Sequence, residues 1–162
     1  MEPDAADEAR EAWARIAPGV DTMPIEIVVR LLRSARLVER SGDARLAEFG
    51  LSRPELELLM LLRRRDELLS PSTITSELLF TAPGTSKRLK SLEERGLVTR
   101  VANPRDRRGA LIGLTDAGSA LVDEAFPANV EAERELLAGL PVPQRERVAR
   151  ALRELLRALE QR

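Results

Sequence analysis

Apolar residues recur every three or four positions along two stretches near the start of the chain. The first stretch, residues 4–17, predicts a short amphipathic helix that ends at the breaker pair Pro18-Gly19. The second stretch, from Ile25 to Phe49, predicts a helix that would extend about 40 Å at 1.5 Å per residue. A helix of that length in a chain of 162 residues indicates that it packs against a second protein chain.

The middle of the chain predicts three helices with clear start and stop signals. Residues 52–55, S-R-P-E, have the form of a capping box, and the helix that they start, residues 53–64, is apolar on nearly every side and should be buried. Ser70 caps a short helix, and Thr81 caps the next one, which stops at Gly96. Two short helices joined by about three residues are typical of a helix-turn-helix. The apolar positions expected to face inward are Ile74, Leu78, Leu89 and Leu92.

After Gly96 the pattern becomes strand-like. Leu97–Val101 and Ala110–Leu114 flank a loop at residues 103–109 that contains proline and glycine, so we predict a hairpin with three arginines at its tip.

Two further helices are predicted near the end of the chain. Thr115 caps a helix reaching about Ala138, in which Pro127 should produce a kink. A last helix, from about Pro143 to Glu160, carries an apolar stripe that requires another helix to cover it. We therefore expect the terminal regions to pair across the two-fold axis of a homodimer.

The predicted fold class is mainly α with a small two-stranded β-wing, a winged helix-turn-helix with N- and C-terminal dimerisation helices. We divide the chain into an N-terminal helical extension (1–20), a dimerisation helix (21–50), a winged helix-turn-helix DNA-binding module (51–115) and C-terminal dimerisation helices (116–162).

Composition excludes several kinds of chemistry. Because the chain has no Cys and no His, it cannot form disulfides, thiolate or imidazole metal sites, or Ser-His and Cys-His catalytic pairs. The remaining carboxylates, hydroxyls and lysines form no recognisable constellation. We expect no enzymatic activity, no catalytic residues, no metal site and no cofactor.

The start of the chain and its hydropathy bear on location. No window approaches 18 consecutive apolar residues, and residues 1–4 do not resemble the start of a signal peptide. We expect a cytoplasmic protein without a membrane partner.

Charge is distributed unevenly. The net charge is −1, yet residues 83–108 contain eight basic and three acidic residues, including both lysines of the chain, Lys87 and Lys90. A solvated helix face is one interpretation. Concentration of the charge in one module favours a double-stranded DNA partner, because neutralised phosphates supply much of DNA affinity.

A helix fits the major groove, and residues near its N-terminus reach base edges. The candidate DNA-binding residues of the second helix of the pair are Thr81, Pro83, Gly84, Thr85, Ser86, Lys87, Arg88 and Lys90. The candidates in the hairpin are Arg105, Asp106, Arg107 and Arg108. Arg108 is expected to enter the minor groove and Asp106 to orient its guanidinium. Alternatively, the helix is a capped surface helix and Asp106 only a turn former.

Three segments resemble the MarR family of bacterial transcription regulators. They are L-E-E-R-G-L-V at 92–98, N-P-R-D-R-R-G at 103–109 and L-T-D-A-G at 114–118, and the resemblance covers about residues 25–160. It implies a dimer, a recognition helix at about 82–95 and a wing that uses Asp106 and Arg108. It also implies that small anionic, often aromatic molecules or oxidants relieve repression, and the lack of Cys excludes thiol oxidation.

A narrower resemblance is to the urate-responsive branch of that family. It implies a ligand-binding pocket lined by Trp13, Glu57 and Arg88, with Glu57 where that branch has Asp, a departure that puts urate itself in question. Alternatively, Trp13 is a core or interface anchor and Arg88 a phosphate contact.

The predicted function is a dimeric, sequence-specific repressor of transcription. It binds a pseudo-palindromic operator with half-sites about 10 bp apart, and a small, anionic aromatic effector modulates its DNA affinity. The alternative is a winged-helix module for protein-protein association without DNA binding.

Overall fold

The computed structural model describes residues 2–104 and 106–161, and within them the side chains of 42–44 and 106–108 are outside the description. The elements in chain order are α1 (Ala5–Ile16), α2 (Met23–Ala47), α3 (Arg53–Arg65), α4 (Pro71–Glu77), α5 (Ala82–Glu94), β1 (Val98–Asn103), β2 (Asp106–Leu114), α6 (Asp116–Leu136) and α7 (Val142–Glu160). A mainly helical chain with one two-stranded antiparallel sheet confirms the predicted fold class. The chain divides into two compact units, Met1–Gly42 and Asp43–Arg162; the predicted four-part division stays a prediction.

In the first unit, one pair of carboxylates both caps α1 and holds it to α2. Asp4 Oδ1 accepts hydrogen bonds from the backbone N–H groups of Ala6 (2.8 Å) and Asp7 (3.2 Å). The Arg30 guanidinium of α2 donates to Asp4 Oδ2 and to Asp7 Oδ1, each at 2.8 Å. The hydrogen bonds from Arg30 and from the Ala6 N–H lower the pKa of Asp4. The pKa of Asp7 is lowered by the backbone N–H of Asp4, which donates to Asp7 Oδ2 (2.9 Å), and by Arg30. Trp13, elsewhere on α1, is 53% exposed.

The core of the second unit surrounds α3. Five leucines of this helix are buried, which confirms the burial expected from its apolar pattern. Ile74 of α4, Leu89 and Leu92 of α5 and Val122 of α6 belong to the same core. Leu78, the remaining inward position predicted for the helix pair, is half-buried and packs against it.

The hairpin β1–β2, called the wing below, is longer than its predicted strands. Its register pairs Val98 with Leu114 and Ala102 with Ala110, and then Asn103 with Asp106, so β2 has three extra residues between neighbouring pairs. Pairing therefore enters the segment predicted as a loop, because the bulge takes up the extra residues while the strands stay paired. Backbone hydrogen bonds between Leu69 and Ile112 (2.9 and 2.8 Å) attach the wing to the segment before α4.

The last two helices differ in burial. α6 contributes Val122 and Ala125 to the core and is assigned as one helix through Pro127; the kink there stays a prediction. α7 has no buried residue. Its exposed apolar side chains include Val148, Leu152, Leu156 and Leu159. Within residues 2–104 and 106–161, no helix is both long enough and apolar enough to cross a membrane.

Candidate nucleic-acid interface

Local hydrogen bonds define where α4 and α5 begin. The Ser70 hydroxyl accepts from the backbone N–H of Thr73 (3.1 Å), and Thr81 Oγ1 accepts from that of Gly84 (3.2 Å), as expected for N-caps. Between the helices, Leu79 adopts a left-handed backbone with φ of 53° and is 87% exposed. The turn therefore combines regular caps with one strained residue.

Thr85 differs from its predicted role. Its side chain is 1% exposed, and its hydroxyl shares a hydrogen bond of 2.9 Å with the hydroxyl of Thr75 on α4. Thr75 Oγ1 also donates to the carbonyl of Pro71 (2.8 Å). Thr85 is thus turned inward and joins the two helices, and the prediction that it contacts DNA is wrong for its side chain in this conformation.

The other candidates on α5 are accessible. Thr81, Pro83, Ser86, Lys87 and Lys90 are exposed, whereas Gly84 and Arg88 are half-buried. Lys90 Nζ lies 3.7 Å from Glu94 Oε1, and both side chains are well exposed, so that pair contributes little to stability. Lys87 forms no ion pair with any residue that the structure describes. Its charge is therefore available to a partner.

Glu55 connects the start of α3 with the far end of α5. Its carboxylate accepts from the backbone N–H (2.9 Å) and hydroxyl (2.7 Å) of Ser52, the Glu55 half of the predicted capping box. It also accepts from the Ser91 hydroxyl (3.0 Å) and from Arg95 Nη1 (3.4 Å). Burial raises the pKa of Glu55, but these hydrogen bonds and the Arg95 charge outweigh burial and lower it overall. Sequence reasoning assigned Glu55 only to the cap.

Phe80 and Arg88 form a cation–π pair at the start of α5. The guanidinium carbon of Arg88 lies over the Phe80 ring, 4.7 Å from its centroid. A Cβ atom on Gly84 would lie 2.7 Å from Arg88 Nη1. Gly84 thus leaves the space that this guanidinium occupies. No motif or periodic pattern in the sequence marks Phe80.

The wing joins the rest of the unit through two glycines. Gly96, with φ of 69°, ends α5 in the left-handed conformation expected of a C-terminal glycine. Thr115 Oγ1 accepts from the N–H of Gly118 (3.0 Å) and donates to the carbonyl of Gly96 (2.7 Å). Arg105 and the side chains of Asp106, Arg107 and Arg108 lie outside the described residues, so their roles stay predictions.

A cavity of about 390 Å³ lies between α3 and α6, beside the end of α4. Its apolar lining is Met60, Leu61, Leu78, Val122 and Phe126, and its polar lining is Glu57, Arg63, Arg64 and Asp123. Arg63 Nε and Nη2 donate to the two carboxylate oxygens of Asp123, each at 3.0 Å, and these bonds lower the pKa of Asp123. Of the predicted ligand residues, Glu57 lines this cavity and Arg88 lies over Phe80. The shared pocket with Trp13 stays a prediction.

Comparisons with known proteins agree on one family. Residues 49–109 match the model of the MarR family. The HTH-type transcriptional regulator PecS of Dickeya dadantii (strain 3937) is 33% identical over 129 residues, which cover 78% of each chain. The S. aureus MepR-DNA complex matches with a TM-score of 0.70 at 25% identity, covering 82% of this chain and 96% of that one.

A ligand-bound structure has the same fold. CouR from Rhodococcus jostii RHA1, bound to p-coumaroyl-CoA, matches with a TM-score of 0.70 at 24% identity, over 82% of this chain and 90% of CouR. The winged helix-turn-helix, the three sequence segments and the PecS match together show that this chain belongs to the MarR family of transcriptional regulators.

Proposed function

We propose that this chain is a homodimeric repressor that places α5 in the major groove of operator DNA and the wing in the adjacent minor groove. The observation that carries the proposal is the two-sided character of α5. Its inner face is fixed by Leu89, Leu92 and the buried Thr85, while Lys87 and Lys90 lie exposed on the other side. The MepR-DNA complex, which has this fold, supports DNA as the partner.

Uncovered apolar surface supports the dimer. α7 buries none of its side chains within the chain, although Val148, Leu152 and Leu159 recur at helical spacing and are about half exposed. In the first unit, Trp13 and Leu32 are more than half exposed. Contiguous exposed apolar surface is typical of protein interfaces. A second copy of the chain would cover it and would set two α5 helices about 10 bp apart on a pseudo-palindromic site.

The cavity between α3 and α6 supports a small-molecule effector. Its volume, about 390 Å³, falls within the range of about 300–1,000 Å³ that is usual for ligand pockets. Apolar walls suit a planar apolar body. The guanidinium of Arg63 is held by Asp123, so the group that suits an anion is Arg64, which is well exposed and lies 3.7 Å from Glu77. We propose that Glu57 contacts this ligand; a part for Trp13 and Arg88 in ligand binding stays a prediction. Coupling to DNA affinity would be of the usual size, about 1–3 kcal/mol.

The test is a titration of duplex DNA from the region upstream of the chain's own gene, followed by fluorescence anisotropy over a series of salt concentrations. About six phosphate contacts predict a slope of log K against log salt of about −5. Lys87→Ala and Arg108→Ala should each weaken binding and reduce the steepness of the slope by about 0.9. The matched control is Arg15→Ala, since Arg15 is exposed on α1. DNA binding absent even at low salt would favour the protein-association module instead.

A further inference from the structure

The backbone of Phe80 is fixed, but its ring lies outside the buried core. Its N–H donates to the carbonyl of Thr75 (3.0 Å), which holds the residue at the end of the turn. The ring is half-buried and does not belong to the core cluster of the unit. Burial in the core therefore does not account for an aromatic side chain here, whereas the Arg88 guanidinium on its face does.

Stacking on a ring uses the face of a guanidinium and leaves its N–H edge available. A cation over an aromatic face is attracted by the ring quadrupole, and the planar guanidinium can still donate two parallel hydrogen bonds to a phosphate. Arg88 forms no ion pair with any described residue. Its nitrogens are also absent from the buried polar atoms that lack a hydrogen-bond partner. The donors of Arg88 are therefore accessible, and its orientation is restricted in advance.

The guanidinium of Arg88 has room beside α5 because residue 84 is a glycine. A Cβ atom at this position would lie 2.7 Å from Arg88 Nη1 and 2.9 Å from Thr81 Oγ1. Arg88 thus bends back over the first turn of α5, where the positive end of the helix dipole also favours an anion. An alanine would push the guanidinium away from this position.

We infer that Phe80 is a positioning residue for DNA binding: it holds the Arg88 guanidinium beside the first turn of α5 so that this guanidinium binds a backbone phosphate at the edge of the major groove. The inference rests on the proposed DNA-binding function. It assigns Arg88 to the phosphate in the DNA-bound state and gives Gly84 a role in leaving that position open. A preoriented donor loses less conformational entropy on binding than a free one.

A double-mutant cycle tests the inference by DNA anisotropy titrations over a series of salt concentrations. Phe80→Leu and Arg88→Met should each weaken binding about tenfold, the size expected for one charge-assisted hydrogen bond. Arg88→Met should also reduce the steepness of the salt slope by about 0.9. Phe80→Leu should have no further effect in the Arg88→Met background, and Phe80→Tyr, which keeps an aromatic face, should bind like the wild type. Additive effects, or an unchanged affinity of Phe80→Leu, would overturn the inference.

Gly84→Ala gives an independent reading if Phe80→Leu does not fold. Alanine favours a helix, so the variant should fold, and its affinity should fall in the wild-type background but not beside Arg88→Met. An equal loss in both backgrounds would overturn the inference by indicating a direct clash with DNA. If the wild-type protein binds DNA with a salt slope that depends on Lys87, and the Phe80 and Gly84 variants bind equally well, this inference alone is overturned. Wild-type protein that binds no DNA overturns the proposed function as well.

Discussion

Replacing Gly118 by alanine should destabilise the second unit, because α6 begins almost in contact with the chain that leads into the wing. A Cβ atom at Gly118 would lie 2.0 Å from the carbonyl oxygen of Leu97 and 2.9 Å from its carbonyl carbon. Backbone atoms cannot rotate away as a side chain can, so the start of α6 would have to move. Overpacking of this kind costs about 1–3 kcal/mol or more, and alanine recovers at most about 1 kcal/mol of helix propensity. We expect a net loss of about 2 kcal/mol in the free energy of unfolding.

The assay is thermal unfolding followed by circular dichroism, with chemical denaturation as a second measurement. For a chain of this size, about 2 kcal/mol corresponds to a fall in Tm of about 4–8 °C. Gly139→Ala is the matched control, since no described residue lies within 4 Å of a Cβ atom placed there and its φ is not in the left-handed region. The control should remain within about 0.5 kcal/mol of the wild type. If Gly118→Ala were as stable as Gly139→Ala, the close approach of α6 to Leu97 would be refuted.

Three other changes have defined outcomes. Leu79→Asn should raise the free energy of unfolding by about 1 kcal/mol, because asparagine tolerates the left-handed backbone better than leucine and Leu79 buries little surface; a lower denaturation midpoint would contradict this. Glu55 has a folded-state pKa below its ordinary value of 4.5, so its stabilisation is present above that pH and is lost as the pH falls through the lowered value. In Glu55→Gln, the free energy of unfolding should therefore fall less as the pH is lowered than it does in the wild type. An unchanged pH dependence would argue against the contribution of Glu55. Arg30→Ala removes the ion pairs with Asp4 and Asp7, so hydrogen exchange should become faster in α1 and stay the same in α3; unchanged exchange in α1 would show that other contacts hold it.

The sequence was informative wherever one helical turn contains the whole interaction. The caps at Ser70, Thr81 and Thr115 and the stop at Gly96 depend on residues within four positions of each other, and each forms as predicted. The burial of α3 was also predictable, because a helix that is apolar on nearly every side has little surface suited to water.

Contacts between elements were harder to predict. Thr85 precedes Leu89 by four positions and Leu92 by seven, so helical spacing already places it on the inner face, yet its partner Thr75 lies on another helix. Its position near the N-terminus of α5 was the misleading signal. Phe80 lies before α5, directly after the left-handed residue Leu79, and its ring meets Arg88 eight positions further along the chain. The periodic pattern of a single helix or strand cannot predict a pair of this kind.

These polar contacts bear on how α5 keeps its orientation. Apolar packing tolerates small rotations of a helix about its axis, whereas a buried hydrogen bond is directional and is weakened by them. On α5, the Thr85 hydroxyl meets Thr75 near one end, and the Ser91 hydroxyl meets Glu55 near the other. Successive side chains on a helix point about 100° apart, so even a partial rotation would move Lys87 away from a groove that it faces. Two directional contacts at opposite ends of α5 oppose that rotation. In the proposed DNA-binding mode, the inner polar residues would therefore determine which outer side chains reach DNA.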